Sequence, residues 1–500
     1  MVQSILILGG GSAGLIAALS LRAKLPDIPI TVVRSVAMGV IGVGEGTTLS
    51  VPGYFHQTLG LNRAEFFRAV DPSYKRGVRF LWGPRDHYDY GFGNNLALKL
   101  QGLSKPFGYY CDKDLSHTNP VASLMTHGRF FLRGADGNRV DDSFLGYHFE
   151  NARLVAYLES AAAARGITLV DDELAEAPVD DTGVLELRLV SGRSMRADLY
   201  VDASGFRAEL LGRALGEPFV SFKSSLFCER AVVGGWERTT EPVLPYTTSE
   251  TMEAGWCWQI EHRTRINRGY VYAPDFISDA QAEEEFRWKN PKVTKTRVVK
   301  FVSGRRENAW VKNVVAVGNA GGFVEPLEAT SLGMICEQSE NLAGCLAENH
   351  GAPTGSSVAL YNLNTAASWD MIRWFLAAHY KFNTRLDTPF WQAARAHTDV
   401  GAAGPLLDFY AENGPSLLAR PLVPQPIDTF GLDGYLIHLV GMRAPHRQQR
   451  PPGAQELEIW NRHRTRVAQA AANGVRFEEL SAPSKGANGF PSHAFNGDPR

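Results

Sequence analysis

One stretch of the sequence, Val317–Gly333, brings acidic and hydroxyl side chains together with small residues. Glu328, Thr330 and Ser331 follow an apolar run that predicts a strand ending at a glycine. The residues Leu332–Ile335 then predict the start of a buried helix. Because the first N–H groups of a helix are unpaired, a helix start favours negative charge. The stretch therefore predicts a small-anion site beside a carboxylate, although an ordinary strand–loop–helix connection with a capping hydroxyl has the same pattern.

A second set of residues, near the N-terminus, predicts a nucleotide site. The short apolar strand Ile5–Leu8 precedes a G-x-G-x-x-G run, and a helical pattern from Leu15 to Lys24 leads to a second strand, Ile30–Val33. In this setting the glycines permit a tight turn, the approach of a pyrophosphate and close packing of helix on strand. The predicted dinucleotide contacts are Gly9, Gly10, Gly11, Ser12, Ala13 and Gly14.

The end of the second strand departs from the usual dinucleotide pattern. An acidic residue is expected about 20 residues after the glycines, where it binds a ribose. Arg34 stands at this position. Arg34 suits either a 2′-phosphate, which would indicate NADP, or a contact near the adenosine of FAD. The motifs further along the chain favour FAD.

Three further motifs have both an ordinary and a functional interpretation. Gly42–Thr48 predicts a glycine-rich loop that either caps a helix or straps a cofactor. Leu199–Gly205 predicts a strand that ends at Asp202, either in a plain turn or beside the cofactor. Trp256 and Trp258, two residues apart in a β pattern, present two large rings on one face, as in a packed core.

These motifs resemble the flavin-dependent tryptophan halogenase family. The resemblance rests on I-G-V-G-E-G-T-T at 41–48, W-x-W-x-I at 256–260 and F-x-x-P-x-x-x-x-S-x-G at 323–333, and extends from residue 3 to about 395. It implies an α/β fold, with an FAD-binding Rossmann-like domain of the flavin monooxygenase/halogenase type and a mostly helical second module. We expect the FAD domain at 1–350 with an inserted β-sheet region at about 80–310, the helical module capping the substrate site at 351–480, and a flexible tail at 481–500.

The resemblance also implies roles for single residues. Lys75 occupies the place of the family's essential lysine and Glu328 that of the carboxylate beside it, so both are expected to be catalytic. Thr330 and Ser331 are expected to bind the halide. Besides the glycine turn, the expected flavin contacts are Arg34, Gly44, Glu45, Gly46, Asp202, Asn319, Leu327 and Leu332.

The substrate side of the site is expected to differ from that of tryptophan-specific members. Trp256 and Trp258 are expected to keep an organic ring away from the flavin. Glu261 follows them in place of the family's usual Pro, and Ser331 replaces the common Gly. The family's amino-acid clamp has no counterpart beyond Tyr435, which favours an indole-like or phenolic ring over free tryptophan. Weaker candidates for contacts with this ring are His87, Tyr90 and Phe92.

Composition limits the partners. With a net charge of −2, the 500-residue chain offers no electrostatic case for nucleic acid or an anionic membrane. Five separated cysteines predict neither disulfides nor a metal site. The apolar segment Ile5–Leu21 is interrupted by glycines and lacks a basic start, so it is not interpreted as a signal peptide. We therefore expect a cytoplasmic protein with no membrane partner, and a core role for the aromatic stretch Trp369–Trp391.

The implied reaction needs FADH2 from a separate NAD(P)H-dependent flavin reductase, O2, and chloride or bromide. Lys75 would deliver hypohalous acid to an electron-rich aromatic such as indole. An aromatic hydroxylase or epoxidase on the same fold is the alternative within enzymes, and it should carry no W-x-W-x-I. A catalytically silent flavin-binding scaffold is the alternative of another class.

Overall fold

The computed structural model describes residues 1–35, 44–93, 100–105, 108–111, 115–140, 144–424, 429–448 and 451–480. Gly42 and Val43 of the predicted loop, and the tail predicted at 481–500, lie outside the described residues. A six-stranded sheet, named here the parallel sheet, carries the N-terminus. In order across the sheet its strands are Trp310–Val311, Val314–Ala316, Leu199–Asp202, Ile5–Leu8, Ile30–Arg34 and Thr168–Asp171.

The parallel sheet forms where the sequence has short, continuous apolar runs, as expected for strands covered on both faces. Ile5 and Ile7 lie in one buried cluster, whereas Leu6 and Leu8 lie in another on the opposite face. Neighbouring strands are parallel except for the outermost pair, and the helix Ser12–Lys24 connects the first strand to the second. The predicted Rossmann-like α/β class is confirmed.

A seven-stranded sheet, named here the wide sheet, supports the other side of the site. Its neighbours are antiparallel apart from one parallel pair, Thr247–Met252 with Gly77–Leu81. Trp256 and Trp258 lie in one buried cluster and Cys257 in a different one, as the spacing of two residues predicts. In order across the sheet its strands are Thr296–Lys300, Arg230–Glu237, Arg265–Tyr272, Gly255–Glu261, Thr247–Met252, Gly77–Leu81 and Tyr88–Gly91.

A three-stranded sheet, named here the lysine sheet, carries Lys75 on one of its strands. Its order is Glu45–Gly46, Gly146–Phe149, Ser73–Lys75. The sequence pattern predicts a helix from Tyr147, which is wrong: the helix begins at Asn151. The segment pairs with a strand on each side, and these long-range hydrogen bonds outweigh the local helical pattern. The remaining short strands are Leu174–Glu176, Val179–Asp180, Gly183–Val184, Leu187–Leu189, Ser194–Met195, Phe219–Ser221, Gly304–Arg306 and Gly322–Phe323.

Helices dominate the chain after the parallel sheet is complete. Gly355–Phe382, Pro389–His397 and Gly431–Gly441 bury residues in the same cluster as Trp256 and Trp258, so they pack on the wide sheet. Within the described ranges, no helix is long and apolar enough to cross a membrane. The other α-helices are Ser12–Lys24, Ser50–Gly53, Arg63–Val70, Pro120–Thr126, Asn151–Ala164, Asp279–Lys289, Ser331–Glu348, Gly404–Asn413 and Ala454–Ala472. Short π and 3-10 segments are Tyr54–Thr58, Gly108–Tyr110, Gly205–Arg207, Glu209–Ala214, Gly318–Ala320, Gly401–Ala403, Leu417–Leu422 and Phe477–Glu479.

Candidate active site

The glycine turn Gly9–Gly14 has the shape that a pyrophosphate needs. A Cβ on Gly9, whose φ is +122°, would lie 2.2 Å from the carbonyl oxygen of Ala203, and one on Gly14 would lie 1.9 Å from the carbonyl oxygen of Gly9. At Gly11, by contrast, no described atom lies within 4 Å of such a Cβ. This opening at the start of a helix fits the phosphates of FAD. The turn's other predicted contacts, Gly10, Ser12 and Ala13, lie in the same segment.

The stretch Val317–Gly333 packs directly against this turn. A Cβ on Gly318 would lie 2.9 Å from the Cβ of Ala13, so only a glycine fits between them. Asn319 is half-buried in the single helical turn that follows, whereas Leu327 and Leu332 are buried in two different clusters. The structure thus places the stretch Val317–Gly333 next to the glycine turn Gly9–Gly14, so that both could contact one cofactor.

Arg34 lies over the glycine turn, and its charge is already balanced. Its side chain forms ion pairs with Glu159 and, at 2.6 Å, with Asp171. Its Cβ lies 2.4 Å from where a Cβ on Gly10 would be. The hydrogen bond that Arg34 donates to Asp171, followed by the one that it donates to Glu159, raises the pKa of Arg34. A guanidinium held by two carboxylates is poorly suited to a 2′-phosphate, which favours the FAD interpretation over NADP.

Asp202 ends its strand with the carboxylate occupied inside the protein. One oxygen accepts hydrogen bonds from the N–H and hydroxyl of Ser204. The other accepts from the backbone N–H groups of Leu210 and Leu211 at 2.8 and 2.9 Å. The carboxylate therefore holds the following turn, and any contact of Asp202 with a cofactor would involve its other atoms.

The predicted strap, of which Gly44–Thr48 is described, borders the lysine of the site. Burial raises the pKa of Glu45 to about 7. A Cβ on Gly46 would lie 3.4 Å from both the Nζ of Lys75 and the Cδ2 of His148, so the strap approaches the amine closely. The loop predicted here is partly a strand, because Glu45–Gly46 pairs with residues of the lysine sheet.

Lys75 is an amine with no counter-ion in contact among the described residues. It is fully buried, and its Nζ has no hydrogen-bond partner in the described part of the chain. The ring of Phe92 lies 5.3 Å from Nζ, and the nearby imidazole of His148 has a pKa lowered by burial and then by Lys75 itself. Burial lowers the pKa of Lys75 to about 8, although the field of Glu328 acts in the opposite direction. A buried amine with a lowered pKa is typical of reactive lysines.

Glu328 lies in a buried cluster with two imidazoles. Its Oε1 is 3.1 Å from Nε2 of His379 and 3.4 Å from Nε2 of His438, and these two nitrogens are 3.1 Å apart. The other nitrogen of His379 bonds the carbonyl oxygen of Phe375 at 2.8 Å, and that of His438 lies 3.0 Å from the hydroxyl of Tyr88. We name Glu328, His379 and His438 the carboxylate–imidazole cluster.

Two carboxyl groups three residues apart have opposite electrostatic surroundings. Burial raises the pKa of Glu325 to about 7, against hydrogen bonds from Tyr380 and Trp256. Burial also acts to raise the pKa of Glu328, but its hydrogen bonds with His379 and His438 outweigh this and lower it to about 2. Paired groups whose environments separate their pKa values are common in acid–base sites. Glu328 is thus the ionised carboxylate and Glu325 the one that can stay neutral.

Thr330 marks the start of the helix Ser331–Glu348. Its Oγ1 is buried, caps no backbone N–H, and has no hydrogen-bond partner among the residues that the structure describes. Ala329 before it has a φ of +55°, a left-handed conformation that turns the chain sharply between Glu328 and the helix. A buried, unpaired hydroxyl at a helix start is suited to a small anion. Ser331, its neighbour, is half-buried.

Trp256 and Trp258 are buried where the wide sheet packs against the helices Gly355–Phe382 and Gly431–Gly441. The Nε1–H of Trp256 donates to Oε1 of Glu325 at 3.2 Å, and Tyr380 also bonds that oxygen. A Cβ on Gly269 would lie 2.3 Å from the ring of Trp258, so the neighbouring strand is shaped to accept this ring. The unusual Glu261 is buried and paired with Arg238 at 2.5 Å.

The predicted ring contacts are only partly brought together. Tyr90 lies with its ring centroid 4.8 Å from that of His438, and Phe92 faces Lys75. Tyr435 is buried edge-on against Phe375 at 5.0 Å, beside the carboxylate–imidazole cluster. His87 is half-buried in the turn between two strands of the wide sheet, and its place in a substrate site stays a prediction.

Sequence reasoning missed the two histidines of the cluster. Much of the stretch Trp369–Trp391 is buried, as its predicted core role requires, and His379 within it also reaches Glu328. His438 lies on the buried helix that also carries Tyr435. Fully buried histidines inside apolar helices were the signal available, since a buried polar side chain needs a partner.

The parallel sheet and its open glycine turn have the form of a dinucleotide-binding domain, and the same protein buries an amine, Lys75, and a carboxylate, Glu328. The sequence profile of tryptophan halogenases matches residues 4–454. The chain is 32% identical over 423 residues to tryptophan 6-halogenase ThaL of Streptomyces albogriseolus. The aligned region covers 78% of each chain. Among solved structures it resembles MibH, a lathipeptide tryptophan 5-halogenase, at 37% identity and a TM-score of 0.85, over 95% of this chain and 92% of that one. It also resembles BrvH, a flavin-dependent halogenase from Brevundimonas sp. BAL3, at 27% identity and a TM-score of 0.82, over 95% and 98% of the two chains.

The chain belongs to the tryptophan halogenase family. It is a flavin-dependent halogenase, as the motifs in its sequence predict.

Proposed function

We propose that this enzyme uses FADH2, O2 and chloride or bromide to halogenate an electron-rich aromatic ring such as indole, with Lys75 as the delivering amine. The observation that carries the proposal is the fully buried Nζ of Lys75, which has no hydrogen-bond partner in the described segments and lies within the field of Glu328. When bound, FADH2 with O2 would supply the two-electron oxidation of halide to hypohalous acid. The reduced flavin would come from a separate NAD(P)H-dependent reductase.

The halide and flavin would meet at the start of the helix Ser331–Glu348. Thr330 supports the halide site, because its buried hydroxyl has no partner in the described residues and lies at the positive end of a helix. Ser331 would complete it. The flavin's phosphates would lie at Gly11, with the strap Gly44–Thr48 over the ring system. Trp256 and Trp258 would exclude an organic ring from the flavin while a halide passes.

Lys75 and Glu328 would share the transfer to carbon. Lys75, whose pKa is near 8, has a neutral fraction at neutral pH that can hold the halogen, and its charged form can hydrogen-bond hypohalous acid. The ionised Glu328 would accept the proton that the ring loses, a role worth about 10²–10⁴-fold in rate. Cytoplasmic location is supported by Cys228, Cys257, Cys336 and Cys345, which form no disulfide among the described residues.

The substrate is proposed to be an indole in a larger or simpler setting than free tryptophan. No counterpart to an amino-acid clamp is predicted from the sequence, and the 37% identical structural relative is named for a lathipeptide tryptophan. An indole ring within a peptide is therefore the second candidate substrate beside simple indoles.

The decisive experiment is a reaction with purified enzyme, flavin reductase, FAD, NADH and one halide at a time. Indole, free tryptophan and a tryptophan-containing peptide are offered, and products are identified by mass spectrometry. We expect a chloride- or bromide-dependent isotope pattern on indole or peptide. A product with added oxygen and no halogen would instead support a hydroxylase, and no product at all would leave only flavin binding.

Replacement of Gly11 by alanine is expected to weaken FAD binding by about tenfold or more, about 1.4 kcal/mol, without changing the stability of the flavin-free protein. The added methyl group meets no described protein atom, so only a bound pyrophosphate would feel it. Gly14→Ala is the contrasting variant, because its methyl group would lie 1.9 Å from a carbonyl oxygen and should lower the melting temperature. Flavin titration and thermal unfolding measure the two effects. Unchanged FAD affinity in Gly11→Ala would place the pyrophosphate elsewhere.

A further inference from the structure

With both imidazoles neutral, the carboxylate–imidazole cluster has too few hydrogens for all the hydrogen bonds that its distances allow. Nδ1 of His379 lies 2.8 Å from the carbonyl oxygen of Phe375, which can only accept, so this nitrogen carries a hydrogen. A neutral imidazole has one N–H, so Nε2 of neutral His379 is bare. That bare nitrogen faces Oε1 of Glu328 at 3.1 Å. When His379 is neutral, two lone pairs therefore point at one another in a fully buried site.

His438 relieves only part of this arrangement. The hydroxyl of Tyr88 lies 3.0 Å from its Nδ1 and can donate to it, which leaves the single hydrogen of neutral His438 on Nε2. From there it points towards Nε2 of His379 at 3.1 Å and Oε1 of Glu328 at 3.4 Å. One hydrogen thus serves two acceptors, and the contact between His379 and Glu328 still has none.

One added proton completes the cluster. Placed on Nε2 of His379, it would change the contact with Glu328 into a charge-assisted hydrogen bond and make the cluster neutral overall. Among the described residues, the groups that face the two imidazoles are the carboxylate of Glu328, the hydroxyl of Tyr88 and the rings of Phe80, Trp82, Tyr90 and Phe375. Of the more distant charges, Lys75 acts on Glu328 and Arg85 on Tyr88.

We propose that His379 and His438 are positioning residues that take from Glu328 the proton released by the aromatic ring, an inference that rests on the proposed halogenation. The C–H bond of the halogenated ring breaks, its electron pair restores the aromatic ring, and the proton goes to a carboxylate oxygen of Glu328. The O–H bond then breaks as the Nε2–H bond of His379 forms. Glu328 is again a carboxylate, and His379 is an imidazolium held beside it. His438 orients both partners through its Nε2–H.

This arrangement makes removal of the proton fast and effectively irreversible in the wild-type enzyme. Without His379, the proton would stay on Glu328 and could return to the ring, so cleavage of the C–H bond would become partly rate-limiting. A merely structural histidine would not change which step limits the rate. The readout is therefore the kinetic isotope effect with ring-deuterated indole, measured under single turnover.

The variants are His379→Gln and His438→Gln, with His463→Gln as the matched control. His463 is also a buried histidine bonded to a backbone carbonyl, but it lies on the helix Ala454–Ala472, away from the cluster. We expect His379→Gln to halogenate about ten- to hundredfold more slowly and to show a primary isotope effect that wild type and His463→Gln lack. Added imidazole should restore rate to His379→Ala. Flavin titration and thermal unfolding confirm that each variant is folded.

Several results would overturn the inference. If the wild type halogenates indole, and His379→Gln and His438→Gln do so at the same rate and without an isotope effect, the two histidines do not take up the proton. The proposed function would then still stand. Absence of halogenation by the wild type would remove both. If the purified wild type contains one equivalent of a transition metal and His379→Gln does not, the cluster binds a cation rather than a proton. Its ligands would be Oε1 of Glu328 and Nε2 of His379 and His438.

Discussion

Replacement of Lys75 by methionine is expected to abolish halogenation and to make the protein more stable. Removal of a group that acts on the reacting atoms should cost on the order of 10³-fold or more in rate. Methionine has a similar volume and no charge, and it would fill the same buried space beside Phe92. Flavin binding should be unchanged. Free hypohalous acid, trapped by a thioether reporter, should still form when reductase, FAD and halide are present.

The stability gain follows from the lowered pKa of Lys75. A lysine whose pKa falls from its ordinary 10.5 to about 8 in the folded state costs about 3 kcal/mol where both states are protonated. The cost is complete below about pH 8 and shrinks as the pH rises towards 10.5, where the unfolded lysine also loses its proton. Thermal unfolding should therefore show the largest gain in stability for Lys75→Met at neutral pH.

The control is Lys295→Met, at an exposed lysine, which should change neither halogenation nor thermal stability. A variant that halogenates normally, or that melts below the wild type at neutral pH, would contradict this account of Lys75.

Replacement of Glu328 by glutamine is expected to reduce halogenation by about 10²–10⁴-fold, the usual contribution of a general base. The amide keeps the size of the side chain but cannot take up the ring's proton. It also removes the negative field that raises the pKa of Lys75, so the pKa of that amine should fall further. Rates of product formation under single turnover, followed across neutral and alkaline pH, measure both effects.

The control for this second change is Glu337→Gln. Glu337 lies on the helix that follows the site, is half-buried, and accepts a hydrogen bond from Ser368 at 2.5 Å. It should retain the wild-type rate. If Glu328→Gln halogenates as fast as this control, Glu328 is not the base, and the acceptor of the proton must be sought elsewhere.

Local spacing was enough to predict the parts of the site that depend on backbone shape. The glycine turn, the common face of Trp256 and Trp258, and the helix after Thr330 each follow from residues only a few positions apart. Such features depend on sterics and on side-chain periodicity, both of which are visible in a single stretch of sequence. The family resemblance rested on the same motifs.

The surroundings of these motifs could not be predicted, because they depend on residues that meet only in the folded chain. His379 is 51 positions from Glu328, and helical periodicity places it merely on a buried face. The charge of Arg34 is balanced by Glu159 and Asp171, which lie far along the chain on a helix and a neighbouring strand. In each case the partner alters the chemistry of the predicted residue.

The middle strand of the lysine sheet has a consequence for how such enzymes diversify. Gly146–Phe149 bonds the strap at Glu45–Gly46 along one edge and Ser73–Lys75 along the other. A ladder of main-chain bonds thus sets the distance between the strap at Glu45–Gly46 and the strand Ser73–Lys75, whichever side chains surround them. That ladder consists of three strands, so the helices that pack on the wide sheet can change without altering it. The side chains around Lys75 can therefore change during evolution while the distance between the strap and the backbone of Lys75 stays the same.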